Sequence, residues 1–379
     1  MCTDPWRDPV SLDRGPTHVG LLTGADLRQG APGGTRAYVL GLAHFLTKEG
    51  IDVEILSNGP VDEAPSSCRV VPICEDHTPL TRRFQDALRR WDPAGALDGI
   101  DILHIQRPDD LRYLAGRFNL PPVVCTLHGN PAKGILRRRG RLVAYAYRFV
   151  EARMMRRIQA ILAVDRQTTA DYRRRYPSVA DRIEWVPNAI GDEWITGSEA
   201  FGLEVPHDSP PTLLFVGRLS VEKRVDRIIE AMSVSSVLAR GRLLLAGTGP
   251  DEGRLRRLAD GLHVEFLANV SRKDLPSLYR RADALVLASE YEGFPAVVLE
   301  ALATGCSVVA TANPDIETLL RDGRGIVVYD PAELPSALEE AVAQRHRGAR
   351  ASLPKEFTWS NVGPRVLSVY RRVLQEVAS

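Results

Sequence analysis

The chain has 379 residues, too long for one ordinary domain and enough for two of about 100 to 200 residues each. Its 49 Lys and Arg against 48 Asp and Glu leave a net charge of +1, so no overall field favours nucleic acid or an acidic membrane as the main partner. Five scattered cysteines, odd in number and without close C-x-x-C pairs, argue against a disulfide framework or a zinc site.

The first residues, MCTDPWRDPVSLDRGPTH, are polar and lack the basic-then-apolar form of a signal peptide. No apolar run approaches the ~20 residues of a membrane helix. The expectation is a cytoplasmic protein, at most peripheral at the inner face of the membrane.

HVGLLT (18–23) predicts a buried strand, TRAYVLGLAHFLTKEG (35–50) a helix ending at Gly50, and DVEILS (52–57) the next strand. Short apolar runs follow at 68–73, 101–105, 122–128, 160–164 and 183–187, separated by helical or loop segments. This alternation predicts a parallel sheet covered on both faces, an α/β domain over 1–190. The polar stretch 191–211 predicts a linker. The alternation restarts with strands at 212–217, 242–247, 264–268, 284–289 and 307–311, with helices from about Val221, Pro250 and Arg272. A second doubly wound domain thus spans 212–358, and TWSNVGPRVLSVYRRVLQEVAS predicts a closing helix over 359–379. In such sheets ligands sit at the carboxyl ends of the strands, and two domains can oppose those crevices across a cleft.

Chemistry collects after the strands of the second half. Arg218 ends one strand and Lys223 lies near the start of the next helix, a pair that suits a diphosphate beside helix N–H donors. Gly247 and Gly249 after the next strand carry little by themselves, because such turns usually serve packing. The stretch SEYEGFPAVVLEALATG predicts a helix opened by Pro295 and closed by Gly305. Its one charge, Glu300, has Ala296, Val297, Ala303 and Thr304 as helical neighbours and therefore no cation of its own helix to pair with. A partnerless buried carboxylate is costly, so hydroxyl donors of a ligand, or water in an open cleft, are expected there. Glu292 stands eight residues earlier, roughly 12 Å along a helix as an upper guide.

The segments FVGRLSVEKRVDRIIEA, LLLAGTGPDEGRL and VEFLANVSRKDLPSLYRRADALVLASEYEGFPAVVLEALATG, with the final FTWSNVGPRVLSVYRRVL, resemble the retaining glycosyltransferases of family 4. Glu292 to Glu300 is the E-x7-E signature. GGTRAYVLGLAHFL, DILHIQRP and VVCTLHG in the first half match more loosely. The resemblance implies a GT-B fold, two Rossmann-like domains facing across a cleft with the closing helix crossing back to the first. It implies a metal-independent, retaining transfer of a hexose or derivative from a nucleoside-diphosphate sugar to a hydroxyl acceptor, a glycoconjugate, polysaccharide or small polyol or aminocyclitol, with no further cofactor. Arg218 and Lys223 then neutralise the leaving diphosphate, Glu300 binds the ribose, and Glu292 and His128 face the sugar. Gly33 and Gly34 approach the diphosphate, Gly293, Phe294, Pro295 and Ala296 the phosphates, and Asn269 and Val270 the base. Asn188-Ala189 and LANV depart from the family pattern.

Three matters stay open in the sequence. A nucleotide-sugar epimerase of the same fold, or a non-catalytic nucleotide-sugar-binding module, would keep much of this constellation. Asp109 and Asp110 in RPDD read as a loop or helix cap, and His104 as core. The basic, aromatic stretch 136–159 suits contact with anionic lipid as an amphipathic helix, or a plain surface helix that packs its aromatic side inward. Donor base, sugar, acceptor and oligomeric state are not written in these patterns.

Overall fold

The computed structural model describes residues 15–28, 33–74, 81–93, 95–196, 210–268, 270–346 and 351–379. In the first domain β1 (His18–Thr23), β2 (Asp52–Ser57), β3 (Arg69–Pro72), β4 (Ile102–Ile105), β5 (Val123–Leu127), β6 (Ala160–Ala163) and β7 (Ile183–Trp185) form a seven-stranded sheet in the order β3-β2-β1-β4-β5-β6-β7. Its helices are α1 (Gly34–Lys48), α2 (Thr81–Arg90), α3 (Pro131–Met155) and α4 (Arg166–Arg175). All pairings are parallel. Successive side chains go to opposite faces: Val19 and Leu21 of β1, Ile102 of β4 and Leu162 of β6 join one core, while Leu22, Leu103 and Ile161 join another with Phe84, Met155 and Tyr172. Both faces are therefore covered, as the continuous apolar runs require.

A short helix α5 (Glu193–Thr196) follows, and most of the expected linker lies outside the described residues. The second sheet contains β8 (Thr212–Val216), β9 (Arg242–Ala246), β10 (Val264–Leu267), β11 (Ala284–Leu287), β12 (Ser307–Thr311) and β13 (Gly325–Val328), in the order β10-β9-β8-β11-β12-β13 and again parallel. Around it lie α6 (Val225–Val234), α7 (Glu252–Leu258), α8 (Leu275–Arg281), α9 (Ala296–Ala303), α10 (Pro314–Leu319) and α11 (Leu334–His346). Helices expected from Val221, Pro250 and Arg272 start a few residues later. In the first case a 3-10 turn at Val221–Lys223 and Arg224 in the left-handed region (φ 49°) intervene, so Lys223 is presented by a turn. β13 was not foreseen.

Helix α12 (Trp359–Ala378) crosses back and packs on α1 of the first domain. Trp359, Val362, Val366, Tyr370 and Val373 recur at three and four residues and are all buried. The approach is close because a Cβ on Gly41 would sit 2.0 Å from Trp359 Nε1, and one on Gly363 2.4 Å from the Phe45 ring. The crossing is pinned where the Ile190 N–H donates to Phe357 O (3.1 Å) and the Trp359 N–H to Ile190 O (3.0 Å). His104 is the buried core residue expected, and it joins this seam. Its Nδ1 lies 2.5 Å from Tyr370 Oη and its Nε2 2.7 Å from Thr126 Oγ1, and burial lowers its pKa to about 3.

Candidate active site

Each sheet reverses strand order once, between β1 and β4 and between β8 and β11. The loops at these reversals open a crevice at the strand ends. Gly217, with φ 154°, follows β8, and a Cβ on Gly247 would lie 2.0 Å from Gly217 O. The glycines after β9 thus serve close loop packing, and this holds Arg218 at the crevice wall.

One cavity of about 380 Å³ between the domains gathers most of the residues singled out in the sequence. Gly33, Gly34 and His128 reach it from the first domain. Arg218, Lys223, Val270, Glu292, Gly293, Phe294, Pro295, Ala296 and Glu300 reach it from the second. Asn269 lies outside the described residues. Gly33 (φ 147°) caps α1, and a Cβ at Gly33 or Gly34 would meet nothing within 4 Å, because both face the open cleft. The Arg218 side chain is exposed and makes no hydrogen bond or ion pair among the described residues.

Helix α9 begins after Pro295 and is buried along nearly its whole length. Glu300 is only 6% exposed, and its Oε2 accepts the Tyr279 hydroxyl of α8 at 2.8 Å. The expectation of water in an open cleft is corrected to this extent: the lone carboxylate has a protein partner on a neighbouring helix. Burial pushes its pKa up, opposed by Arg272, the Tyr279 hydrogen bond and Arg36. Glu292 and Lys223 have also found each other. Lys223 Nζ donates to Glu292 Oε1 at 2.6 Å, and Ser289 Oγ donates to the same oxygen at 2.6 Å. His128 Nε2 lies 2.8 Å from Gln106 Oε1. An amide oxygen only accepts, so with the Gln106 amide oriented as assigned, Nε2 carries the proton. Burial lowers the His128 pKa to about 3, which keeps the ring neutral. Tyr38 packs edge-on to it at 5.0 Å.

The sequence reading missed Arg36 and Arg272, both of which line this cavity. Arg36 is buried in the first turn of α1 and pairs with Glu63 at 2.5 Å. Its place in an otherwise apolar helix face was the available signal, the same one that marked Glu300. Asn188 donates from Nδ2 to Phe294 O at 3.5 Å and so ties the end of the first domain to the loop before α9.

Asp109 and Asp110 lie, as expected, in the connection after β4, but neither side chain caps a helix. They are buried in the 3-10 turn Pro108–Tyr113 and line a second cavity of about 1670 Å³, which shares His128 and Glu222 with the first. The 136–159 stretch falls largely on α3, whose backbone breaks at Gly140 (φ 82°, ψ 177°). Tyr147 turns inward and donates to Asp109 Oδ1 at 3.2 Å, but Leu142, Tyr145 and Phe149 are 87%, 76% and 69% exposed. The inward aromatic side is therefore corrected for Tyr145 and Phe149. Among the described residues no group of three or more His, Cys, Asp or Glu is arranged to hold a metal, and no helix is long and apolar enough to cross a membrane.

Residues 32–194 match the model of Glycosyltransferase Family 4, and residues 210–345 that of Glycosyl transferases group 1. A phosphatidyl-myo-inositol mannosyltransferase of Mycobacterium leprae is 28% identical over 370 residues, covering 90% of this chain and 94% of that protein. Among solved structures, sucrose-phosphate synthase from Thermosynechococcus elongatus superposes with a TM-score of 0.73 at 21% identity, covering 96% of this chain and all of the other. Anabaena HepE in complex with UDP-glucose does so with 0.65 at 15% identity, covering 95% and 99%. Two facing Rossmann-like domains, a back-crossing C-terminal helix and matches over both halves lead to one conclusion: the chain belongs to glycosyltransferase family 4 and has the GT-B fold.

Proposed function

We propose that this glycosyltransferase takes its sugar from a nucleoside-diphosphate hexose and transfers it with retention, without a metal, to a hydroxyl acceptor. The observation that carries the reading is the sequence of groups along one cavity: cationic Arg218 and Lys223, Glu292, the first turn of α9, and buried Glu300. Arg218, together with the first N–H groups of α9, suits the diphosphate. Glu300 suits the ribose hydroxyls. Glu292 suits the sugar, and on donor entry Lys223 exchanges the Glu292 carboxylate for a phosphate oxygen. UDP-glucose bound to HepE supports a donor of this class.

In the transfer, the bond from the anomeric carbon to the departing phosphate oxygen breaks, and the acceptor oxygen bonds to that carbon on the same face. The acceptor proton passes to the departing phosphate. Charge building on the diphosphate is met by cations and N–H groups already in place, an electrostatic stabilisation that needs little reorganisation. His128, held neutral, contributes a polar wall to the sugar pocket without repelling the cations.

A panel of UDP-, GDP- and ADP-sugars tests this by thermal shift and by slow donor hydrolysis, with EDTA present. Stabilisation and hydrolysis by one base class, and a product of unchanged anomeric configuration by NMR, are expected. If no nucleotide sugar stabilises the protein or is hydrolysed, the donor assignment fails. An epimerase would instead convert donor with no acceptor present.

A peripheral membrane contact has its own support in the exposed Leu142, Tyr145 and Phe149, spaced three and four residues apart on α3 beside exposed Arg141 and Arg148. Flotation with anionic vesicles tests it, and a protein that stays at the bottom of the gradient removes it.

A further inference from the structure

The larger cavity, on the first-domain side of His128, contains polar atoms that the fold leaves unsatisfied. Asp110 is 1% exposed, and neither carboxylate oxygen has a hydrogen-bond partner. Gln106 is buried and spends Oε1 on His128, which leaves its Nε2 donor without a partner. Asn130 stands at the N-cap of α3, where an asparagine ordinarily accepts from the first helical N–H groups. Here it makes no such bond, and both its Oδ1 and its Nδ2 are unpaired. Buried polar atoms in folded proteins are nearly always paired, and each exception calls for a ligand, a water or a cost. Three such side chains on two loops, those after β4 and after β5, face one cavity, adjoining the wall where the sugar would sit.

The charge of this cavity narrows what fits. Arg107 is held by Asp109 through bonds of 3.1 and 2.6 Å. Its field also reaches Asp110, and Glu290 is paired with Arg224 at 3.2 Å, so among the described side chains the lining sets the guanidinium groups of Arg107 and exposed Arg112 against four acids, Asp109, Asp110, Glu222 and Glu290. Two carboxylate oxygens call for O–H or N–H donors, the Gln106 amide calls for an acceptor, and Asn130 calls for one of each.

Resting on the donor assignment above, we infer that Gln106, Asp110 and Asn130 form the acceptor subsite, and that they select a hydroxyl-rich ring, neutral or amine-bearing, with no phosphate or carboxylate on the edge that meets Asp110. Two ring hydroxyls, or a hydroxyl and an ammonium, donate to Asp110. A ring oxygen accepts from Gln106 Nε2, and Asn130 bridges the next hydroxyl. Because Gln106 also holds His128, acceptor binding and the wall of the sugar pocket share one side chain. Asp110 is thus the specificity-determining residue. A ring phosphate there would meet the two unpaired oxygens of a buried carboxylate, while the nearby Arg107 is already bonded to Asp109.

Calorimetric titration of the full chain, with and without UDP or GDP, reads this directly. The probes are myo-inositol, methyl α-glucopyranoside, 2-deoxystreptamine and myo-inositol 1-phosphate. Nucleotide binding in the same instrument tests the donor assignment by itself. At least one uncharged or amine-bearing ring is expected to bind, more tightly than the phosphorylated ring. Asp110→Asn should weaken that binding at least tenfold, and Asn130→Ala should weaken it severalfold. The inference is overturned if no uncharged or amine-bearing ring binds the wild type, if the phosphorylated ring binds best, or if Asp110→Asn binds the ring as well as the wild type. The wild-type comparison of rings and the Asn130→Ala variant keep the test decisive should Asp110→Asn fold poorly.

Discussion

Replacing Glu300 by Gln removes one charge while keeping the shape of the side chain and an oxygen for the Tyr279 hydroxyl, 2.8 Å away. If Glu300 holds the ribose of the donor, the variant loses a charge-assisted hydrogen bond, worth roughly 1.5–3 kcal/mol. That is about a 10- to 150-fold weaker Kd for the nucleoside diphosphate. Stability should move the other way. Burial raises the folded pKa of Glu300, so its favourable contribution is present below the unfolded pKa and is lost as pH rises through the folded one. At pH 8 the buried carboxylate is a burden that Gln lacks, and the melting temperature should hold or rise. Calorimetry with a nucleoside diphosphate and its 2′- and 3′-deoxy analogues closes the cycle. The deoxy analogues should lose affinity for the wild type but little more for Glu300→Gln, giving a coupling on the order of 1–2 kcal/mol. Unchanged nucleotide affinity in Glu300→Gln, or losses that add without coupling, would refute the ribose assignment.

Asp110→Asn is expected to raise the melting temperature at pH 8 even as it impairs acceptor binding. Burial pushes the Asp110 pKa up to about 7, Arg107 opposing and Asp109 assisting, so stability present below the unfolded pKa near 4 disappears as pH passes 7. The linkage amounts to an upper bound on the order of 4 kcal/mol, and a melting temperature that does not differ from wild type between pH 5 and 8 would contradict it. Two glycines of α1 should respond oppositely to alanine. Gly34→Ala meets nothing and should gain up to about 1 kcal/mol of helix stability, whereas Gly34→Leu should cost donor affinity by filling the cleft. Gly41→Ala drives a methyl into Trp359 and should lose about 1–3 kcal/mol despite its better propensity, as urea unfolding would show. Removing the exposed apolar face of α3 by changing Leu142, Tyr145 and Phe149 to Ser should abolish vesicle flotation without lowering the melting temperature. A lowered melting temperature would mean that the face packs inward after all.

Much of this molecule was legible in its sequence because the relevant signals are local. β1, β2 and β12 span the segments HVGLLT, DVEILS and SVVAT, since a strand buried on both faces writes a continuous apolar run. Helix α9 starts after Pro295, and Glu300 is conspicuous because every side chain around it on that helix is apolar. Arg218 and Lys223 were identifiable from their place after a strand. The four-residue strand β13, mixed with glycine and followed by polar turns, carries too short a period to announce itself.

The tertiary structure alone decided which distant groups meet. Tyr279 supplies the partner of Glu300 from another helix, and Lys223 meets Glu292 across 69 residues. His104 meets Tyr370 across 266, because α12 returns to the first domain. Asp109 and Asp110 look in the sequence like any acidic pair before a turn. Only the packing of α3 over that turn takes them out of water, and desolvation, a property of the assembled fold and not of neighbouring residues, turns an ordinary aspartate into a buried unpaired carboxylate facing a cavity.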